Sequence, residues 1–179
     1  MISAVFGRWV DESLMRLADA VMAIPVVLFG LVFVAAIGTG VGSLILVLGI
    51  LLSPLSARVL RAATLSELNA DYVRGVVAVG VPRLRIVFGE ILPNVMPTII
   101  AQAVLNVASA VLVEATLSFV GLGIQPPDAS WGSLLKSGYD MLFKAPWYAL
   151  APAFAIVAML AALNVLGESL QERWKVGDA

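Results

Sequence analysis

The chain has 179 residues, of which 61% are hydrophobic and only 13% charged, with a formal net charge of −1. Too little polar surface remains to coat a soluble domain, and no basic field exists for nucleic acid, so the composition reads as an integral membrane protein. Cysteine and histidine are both absent, which removes disulfides, thiolate metal sites, haem axial imidazoles, zinc-protease motifs and Ser-His-Asp catalysis together.

The N-terminus, MISAVFGRWVDE, lacks the basic start, long apolar run and cleavage site of a signal peptide. A helix beginning near Leu14 to Arg16 is predicted to become wholly apolar from Ala20 to Ile37, about enough to cross a ~30 Å hydrocarbon core. Pro25 lies inside it and predicts a packing kink. Gly38-Thr39-Gly40-Val41-Gly42 reads as a tight turn. A second span is expected from about Ser43 to Ala57, with Pro54 near its end.

A long polar interval then runs from Arg58 to Pro97 and holds Arg58, Arg61, Arg74, Arg83 and Arg85. Thr64-Leu65-Ser66-Glu67 fits a capping box. Leu65, Leu68, Tyr72 and Val76 recur at helical spacing and predict one apolar stripe. Gly80 falls where a left-handed C-cap belongs, and Pro82 follows where a helix cannot simply continue. A second short helix is predicted from Arg83 to Leu92, closing at Pro93. The interval reads as a helix–turn–helix pushed into water to grip a soluble partner.

A third span is expected from near Pro97 to about Val120. Gln102, Asn106 and Ser109 share one face of it, with Glu114 close by. Unpaired polar groups in hydrocarbon cost several kcal/mol, so this face should point into a bundle or a wet cavity. It serves either as interhelical glue between subunits or as the lining of a translocation path. Gln102 and Asn106 fit glue better, and Glu114 stays open to both. Gly121 to Pro146 is read as a loop with a short interfacial helix from Ser133 to Phe143, and Trp131, Tyr139 and Trp147 suit a membrane interface. A fourth span runs from roughly Trp147 to Val165, and a polar tail from Gln171 to Ala179 closes the chain.

Four spans place the N-terminus, the 58–93 segment and the tail on one side, with Arg8, Arg16, Arg58, Arg61, Arg74, Arg83, Arg85, Arg173 and Lys175. The opposite side holds Lys136 and Lys144. The positive-inside rule then makes the first side cytoplasmic.

Several motifs carry a resemblance. Gly80 followed by Ile91-Leu92-Pro93 is similar to the signature loop of ABC importer permeases, in which Glu-Ala-Ala, three residues and glycine precede Ile-x-Leu-Pro. WVDESLMRLADAVMAIP, Asp71-Tyr72-Val73, LRIVFGEILPNVMP and above all ATLSFVGLGIQPPDASWG resemble the dipeptide/oligopeptide/nickel branch, over about Arg8 to Leu170. The resemblance implies an all-α integral membrane protein, a MetI-like ABC permease helical bundle with about four spans in this chain. It implies one transmembrane permease domain over 1–179, with a cytoplasmic coupling loop at 58–93 and an outer loop at 121–146, in a bacterial plasma (inner) membrane.

On the same resemblance, Asp71, Tyr72, Val73, Arg74, Gly75, Val76, Gly80, Ile91, Leu92 and Pro93 couple to a separate cytoplasmic ATPase. Gln102, Asn106, Ser109 and Glu114 are candidates for the translocation path. Gly121, Gly123, Gln125, Pro126, Pro127, Ser130, Trp131 and Gly132 form the outer loop, where an extracytoplasmic solute-binding protein delivers substrate. A homologous second permease subunit completes the pathway in the lipid bilayer. No cofactor, metal or catalytic residue is expected, and no phosphate-binding loop G-x-x-x-x-G-K-S/T occurs. Relatives with this loop pattern handle dipeptides, longer peptides, glutathione-like compounds and nickel chelates.

Two departures stand out. Arg74-Gly75-Val76 replaces Glu-Ala-Ala, so either the partner's groove has changed to match or coupling is weakened; glycine inside a helix also costs ~1 kcal/mol relative to alanine. Full members have further spans before the point where this chain starts, and MISAVF resembles a stub of one, so N-terminal truncation is expected. A permease remnant without transport activity is the alternative. A membrane enzyme would have to use Glu114 as an isolated acid.

Overall fold

The computed structural model describes residues 8–175; the expected stub at Met1–Phe6 and the last residues of the tail lie outside them. The described residues are all-helical. Helix α1 spans Arg8–Met22, α2 Val26–Ile37, α3 Val41–Leu68 and α4 Asp71–Ala78. Helix α5, Arg83–Ile86, runs through a π-helical turn at Val87–Ile91 into α6, Leu92–Val120. Helix α7 spans Trp131–Asp140 and α8 Trp147–Lys175.

Among the described residues, three helices are long and apolar enough to cross a membrane: Val41–Leu68, Arg83–Val120 and Trp147–Glu172. The first expected span is not continuous. Pro25 sits at φ −55°, ψ 129°, an extended conformation that the preceding residue is also pushed toward. The chain therefore breaks rather than kinks, and α1 and α2 meet at 90°. Alone, α2 rises only ~18 Å, so the bent pair together makes any fourth crossing.

The second span runs further than expected. Pro54 cannot donate to the Ile50 carbonyl, but the Ser53 hydroxyl donates to it at 3.0 Å. With that oxygen satisfied, α3 continues through Pro54 to Leu68. The Thr64–Glu67 capping box is thereby corrected: Thr64 is buried mid-helix and its hydroxyl donates to the Leu60 carbonyl at 2.7 Å. The single stripe is corrected too. The chain breaks at Asn69–Ala70, so Leu65 and Leu68 lie on α3 while Tyr72 and Val76 lie on α4.

The helix from Arg83 does not close at Pro93. The Leu92 N–H donates to the Val87 carbonyl, five residues back. That wider turn lets Pro93 enter the first turn of α6, where a missing N–H is tolerated. The interfacial helix also lies earlier than expected, because Ser130 caps it: its hydroxyl accepts from the Ser133 N–H at 3.1 Å, and the Ser133 hydroxyl accepts from the Ser130 N–H at 3.0 Å.

Helix α6 is central and packs against α3, α7 and α8, while α1 and α2 lie on α3. One buried cluster joins Phe29, Val34, Leu44, Val47, Leu51, Val113 and Leu117. Gly30 allows the tight α2–α6 approach, since a Cβ there would lie 3.1 Å from both Leu117 methyls. A second cluster, Val73, Ile86, Val87, Ile91 and Val95, lies at the other end of α6.

Candidate functional site

At one end of the molecule, α3, α4 and α5 form an elbow. Helix α3 rises about 42 Å over 28 residues, more than a hydrocarbon core is thick, and the elbow follows its arginine-bearing end. Gly80, at φ +82°, makes the left-handed reversal after α4. Pro82, extended at ψ 138°, starts α5. Both residues act as the sequence suggests.

Within the elbow, Val73 is 1% exposed and Ile91 fully buried, so these two of the expected coupling residues anchor the inner side. Burying one such side chain contributes about 1.5–3 kcal/mol. Tyr72 ties the elbow together from outside: its hydroxyl donates to Glu67 Oε2 at 2.6 Å and accepts from Asn94 Nδ2 at 2.7 Å. One phenol thus links the ends of α3 and α6. Partial burial and the Glu67 carboxylate raise its pKa above the ordinary phenol value, against the Asn94 donor. The sequence assigns Glu67 to a capping box and does not mark Asn94; their meeting at Tyr72 depends on the fold.

Asp71, Arg74, Gly75 and Pro93 face outward, and Val76 and Leu92 are half-buried. Arg74 lies 3.7 Å from Asp71, an exposed contact worth little. Nothing lies within 4 Å of a Cβ built on Gly75, so packing within this chain does not demand glycine there. The outer edge is apolar and uncovered: Val77 is 57% exposed, Val79 84% and Leu84 60%.

Two ion pairs fix α1 beside this end of α3. Arg61 holds Asp11 through two carboxylate oxygens, with Nε at 2.7 and 2.9 Å, and Arg58 pairs with Asp19. Asp11 and Asp19 are two turns apart and so share a face of α1.

Along α6, Gln102 Nε2 donates to Asn106 Oδ1 at 3.1 Å, and Asn106 Nδ2 donates to Ser56 Oγ at 2.7 Å. The Ser56 hydroxyl in turn donates to the Leu52 carbonyl at 3.0 Å. This polar clamp joins two helices of the same chain, where the sequence suggested glue between subunits. Ser109 is half-buried on α6, apart from the clamp.

Glu114 lies eight residues beyond Asn106. Its Oε1 accepts from the Ser118 hydroxyl at 2.5 Å, and Ser118 Oγ accepts from the Ile124 N–H at 3.0 Å. Glu114 lines an open pocket of about 510 Å³ with Leu48, Ala110, Val111, Ile124, Ala129, Ser130, Trp131 and Leu134. The i,i+4 spacing of Glu114 and Ser118 was visible in the sequence, although their bond to the returning loop was not.

The residues expected to form the outer loop build a compact return. Gly121, at φ +94°, ends α6, and its N–H donates to the Ser118 carbonyl at 3.0 Å. Gln125 Nε2 donates to the Gly121 carbonyl at 2.8 Å, and the Pro126–Pro127 peptide is cis. A Cβ on Gly123 would fall 1.9 Å from Ser118 Oγ, and one on Gly132 only 2.3 Å from the Ala115 carbonyl oxygen. Gly138 approaches the Tyr148 carbonyl as closely, 2.4 Å for a Cβ; that carbonyl is the one Pro152, inside α8, leaves without its helical donor. The glycines let α7 lie against both α6 and α8.

The sequence profile for "binding-protein-dependent transport system inner membrane component" matches residues 1–175. The chain belongs to this family. It is 38% identical over 159 residues to the di/tripeptide transport system permease protein DppC of Pseudomonas aeruginosa, which covers 89% of this chain and 52% of that protein. It is 32% identical over 172 residues to the dipeptide transport system permease protein DppC of Alkalihalophilus pseudofirmus, covering 96% of this chain and 57% of that protein. The chain thus spans about half the length of the curated relatives it matches. By that description the family's members are inner-membrane components of transport systems that depend on a binding protein.

Proposed function

We propose that this chain is the membrane-spanning permease portion of an ATP-driven, binding-protein-dependent importer of di- or oligopeptides or related small solutes. The observation that carries the reading is the elbow. Exposed Val77, Val79 and Leu84 form an apolar edge beside Arg74, Arg83 and Arg85, suited to the groove of a soluble partner. That partner is a cytoplasmic ABC ATPase subunit. The names of the relatives support peptides as the substrate class. The distribution of Arg and Lys supports a cytoplasmic elbow and C-terminus in a bacterial inner membrane. The 58–93 segment then serves as the coupling region of a single permease domain. The 121–146 segment faces an extracytoplasmic binding protein, and a homologous second permease subunit faces the open side of α6.

The test replaces exposed side chains that hold nothing inside the chain. Val77→Asp with Val79→Asp is expected to abolish co-purification with the ATPase subunit and ATP-dependent dipeptide uptake, with unchanged thermal unfolding of the permease. Undiminished association would overturn the reading. Association without uptake in the unmodified chain would favour the transport-inactive remnant.

A further inference from the structure

The carboxylate of Glu114 is half-buried on α6, and among the described residues no cation pairs with it and Ser118 is its hydrogen-bond partner. A carboxylate within a membrane-spanning helix is costly, and membrane proteins place such groups at ligand or ion paths. The Ser118 hydroxyl has one proton, which it gives to Glu114 Oε1, while its oxygen is occupied by the Ile124 N–H. Glu114 is therefore held in a fixed direction by a donor that the return loop itself positions. Trp131, 41% exposed, lines the same pocket. It supplies an aromatic face of the kind that attracts organic cations. Trp131 also opens α7, whose N-terminus brings roughly half a positive charge to the pocket. That offsets part of the carboxylate and leaves the rest for a ligand.

We propose that Glu114 and Trp131 form a recognition site for an organic ammonium, the protonated amino terminus of a peptide in transit. The apolar walls, Leu48, Val111 and Leu134, take the adjoining aliphatic part. The peptide identity rests on the transport reading above; the ammonium chemistry rests on the pocket alone. The arrangement selects charge and not merely shape, because an acetylated amino terminus offers no cation to the carboxylate or the indole.

Two measurements separate the site from the transport reading. In membranes holding the complete transporter, Glu114 is labelled with a hydrophobic carbodiimide and quantified by mass spectrometry. Dialanine is expected to slow labelling, and N-acetyl-dialanine or sodium chloride at matched ionic strength is not. Separately, Glu114→Gln keeps an acceptor for Ser118 and removes the charge. Dialanine uptake into proteoliposomes is expected to fall about tenfold, the loss of one charge-assisted hydrogen bond, with Glu114→Asp retaining part and Trp131→Phe lying between. Equal protection by both peptides, or full uptake by Glu114→Gln, would overturn the ammonium site while leaving transport intact. Selective protection in a transporter that moves no peptide would keep the site and sink the transport reading. If Glu114→Gln fails to fold, the labelling of the unmodified protein decides alone.

Discussion

Gly132→Ala tests whether the return loop is as tightly seated as its glycines imply. The added methyl would sit 2.3 Å from the Ala115 carbonyl oxygen and 2.7 Å from both the Ala115 Cα and the Ser118 Cβ. Two of those atoms are α6 backbone, which cannot rotate away as a long side chain would. A carbon–oxygen contact relaxes near ~3.3 Å, so α7 must retreat by about 1 Å or tilt. Overpacking of this kind costs about 1–3 kcal/mol, and it should be felt first at the Ser118 and Ser130 hydrogen bonds beside it. The assay is thermal unfolding in detergent, with amide exchange of residues 121–132 as the local readout. Gly75→Ala is the internal control: nothing lies within 4 Å of its new methyl, so it should stabilise by up to ~1 kcal/mol through helix propensity. If Gly132→Ala unfolds like the unmodified protein with unchanged exchange, the return loop has slack and the packing argument fails.

Tyr72→Phe removes both the Glu67 and Asn94 bonds and should loosen the elbow by about 1–2 kcal/mol, seen as faster amide exchange across 69–81. The raised pKa of Tyr72 has a sign: its stabilisation is complete below the unfolded phenol value of ~10 and is lost as pH rises through the higher folded value. Phenolate absorbance in the folded protein should therefore show a late component that Tyr72→Phe lacks. Ser56→Ala should cost about 0.5–1.5 kcal/mol in unfolding experiments, as Asn106 loses its acceptor across α3 and α6. Arg61→Asp should release α1 to protease, and adding Asp11→Arg should restore protection; failure of that rescue would remove the pair's orienting role.

Much of this protein could be read from its residues. Long apolar runs and glycine turns mark the helical membrane body, and Gly80 and Pro82 mark the reversal after α4, but the break at Asn69–Ala70 that makes the elbow is not marked. Helix ends near prolines are not legible in the sequence, for a common reason. Proline removes one donor, and whether a helix stops depends on what satisfies the freed carbonyl. Ser53 does so for Pro54, a π-turn prepares Pro93, and at Pro25 the chain breaks. Those outcomes depend on packing and are invisible to a pattern of hydrophobic residues. The polar stripe of α6 was visible, but its division was not. Ser56 claims Asn106 from another helix, and only the return of the chain at Ile124 gives Glu114 its pocket.

The unbroken helix from Arg83 to Val120 is 38 residues long, about 57 Å end to end. It begins beneath the exposed elbow and finishes under the glycine-sealed return, so the two extremities are mechanically one piece. A swing of about 10° around its midpoint would sweep each tip by roughly 5 Å in opposite directions, by the same rise per residue. A partner that shifts the arginine end would act on the carboxylate end through this one helix, whose points of give are the wide turn at Val87–Ile91 and Pro97 inside α6.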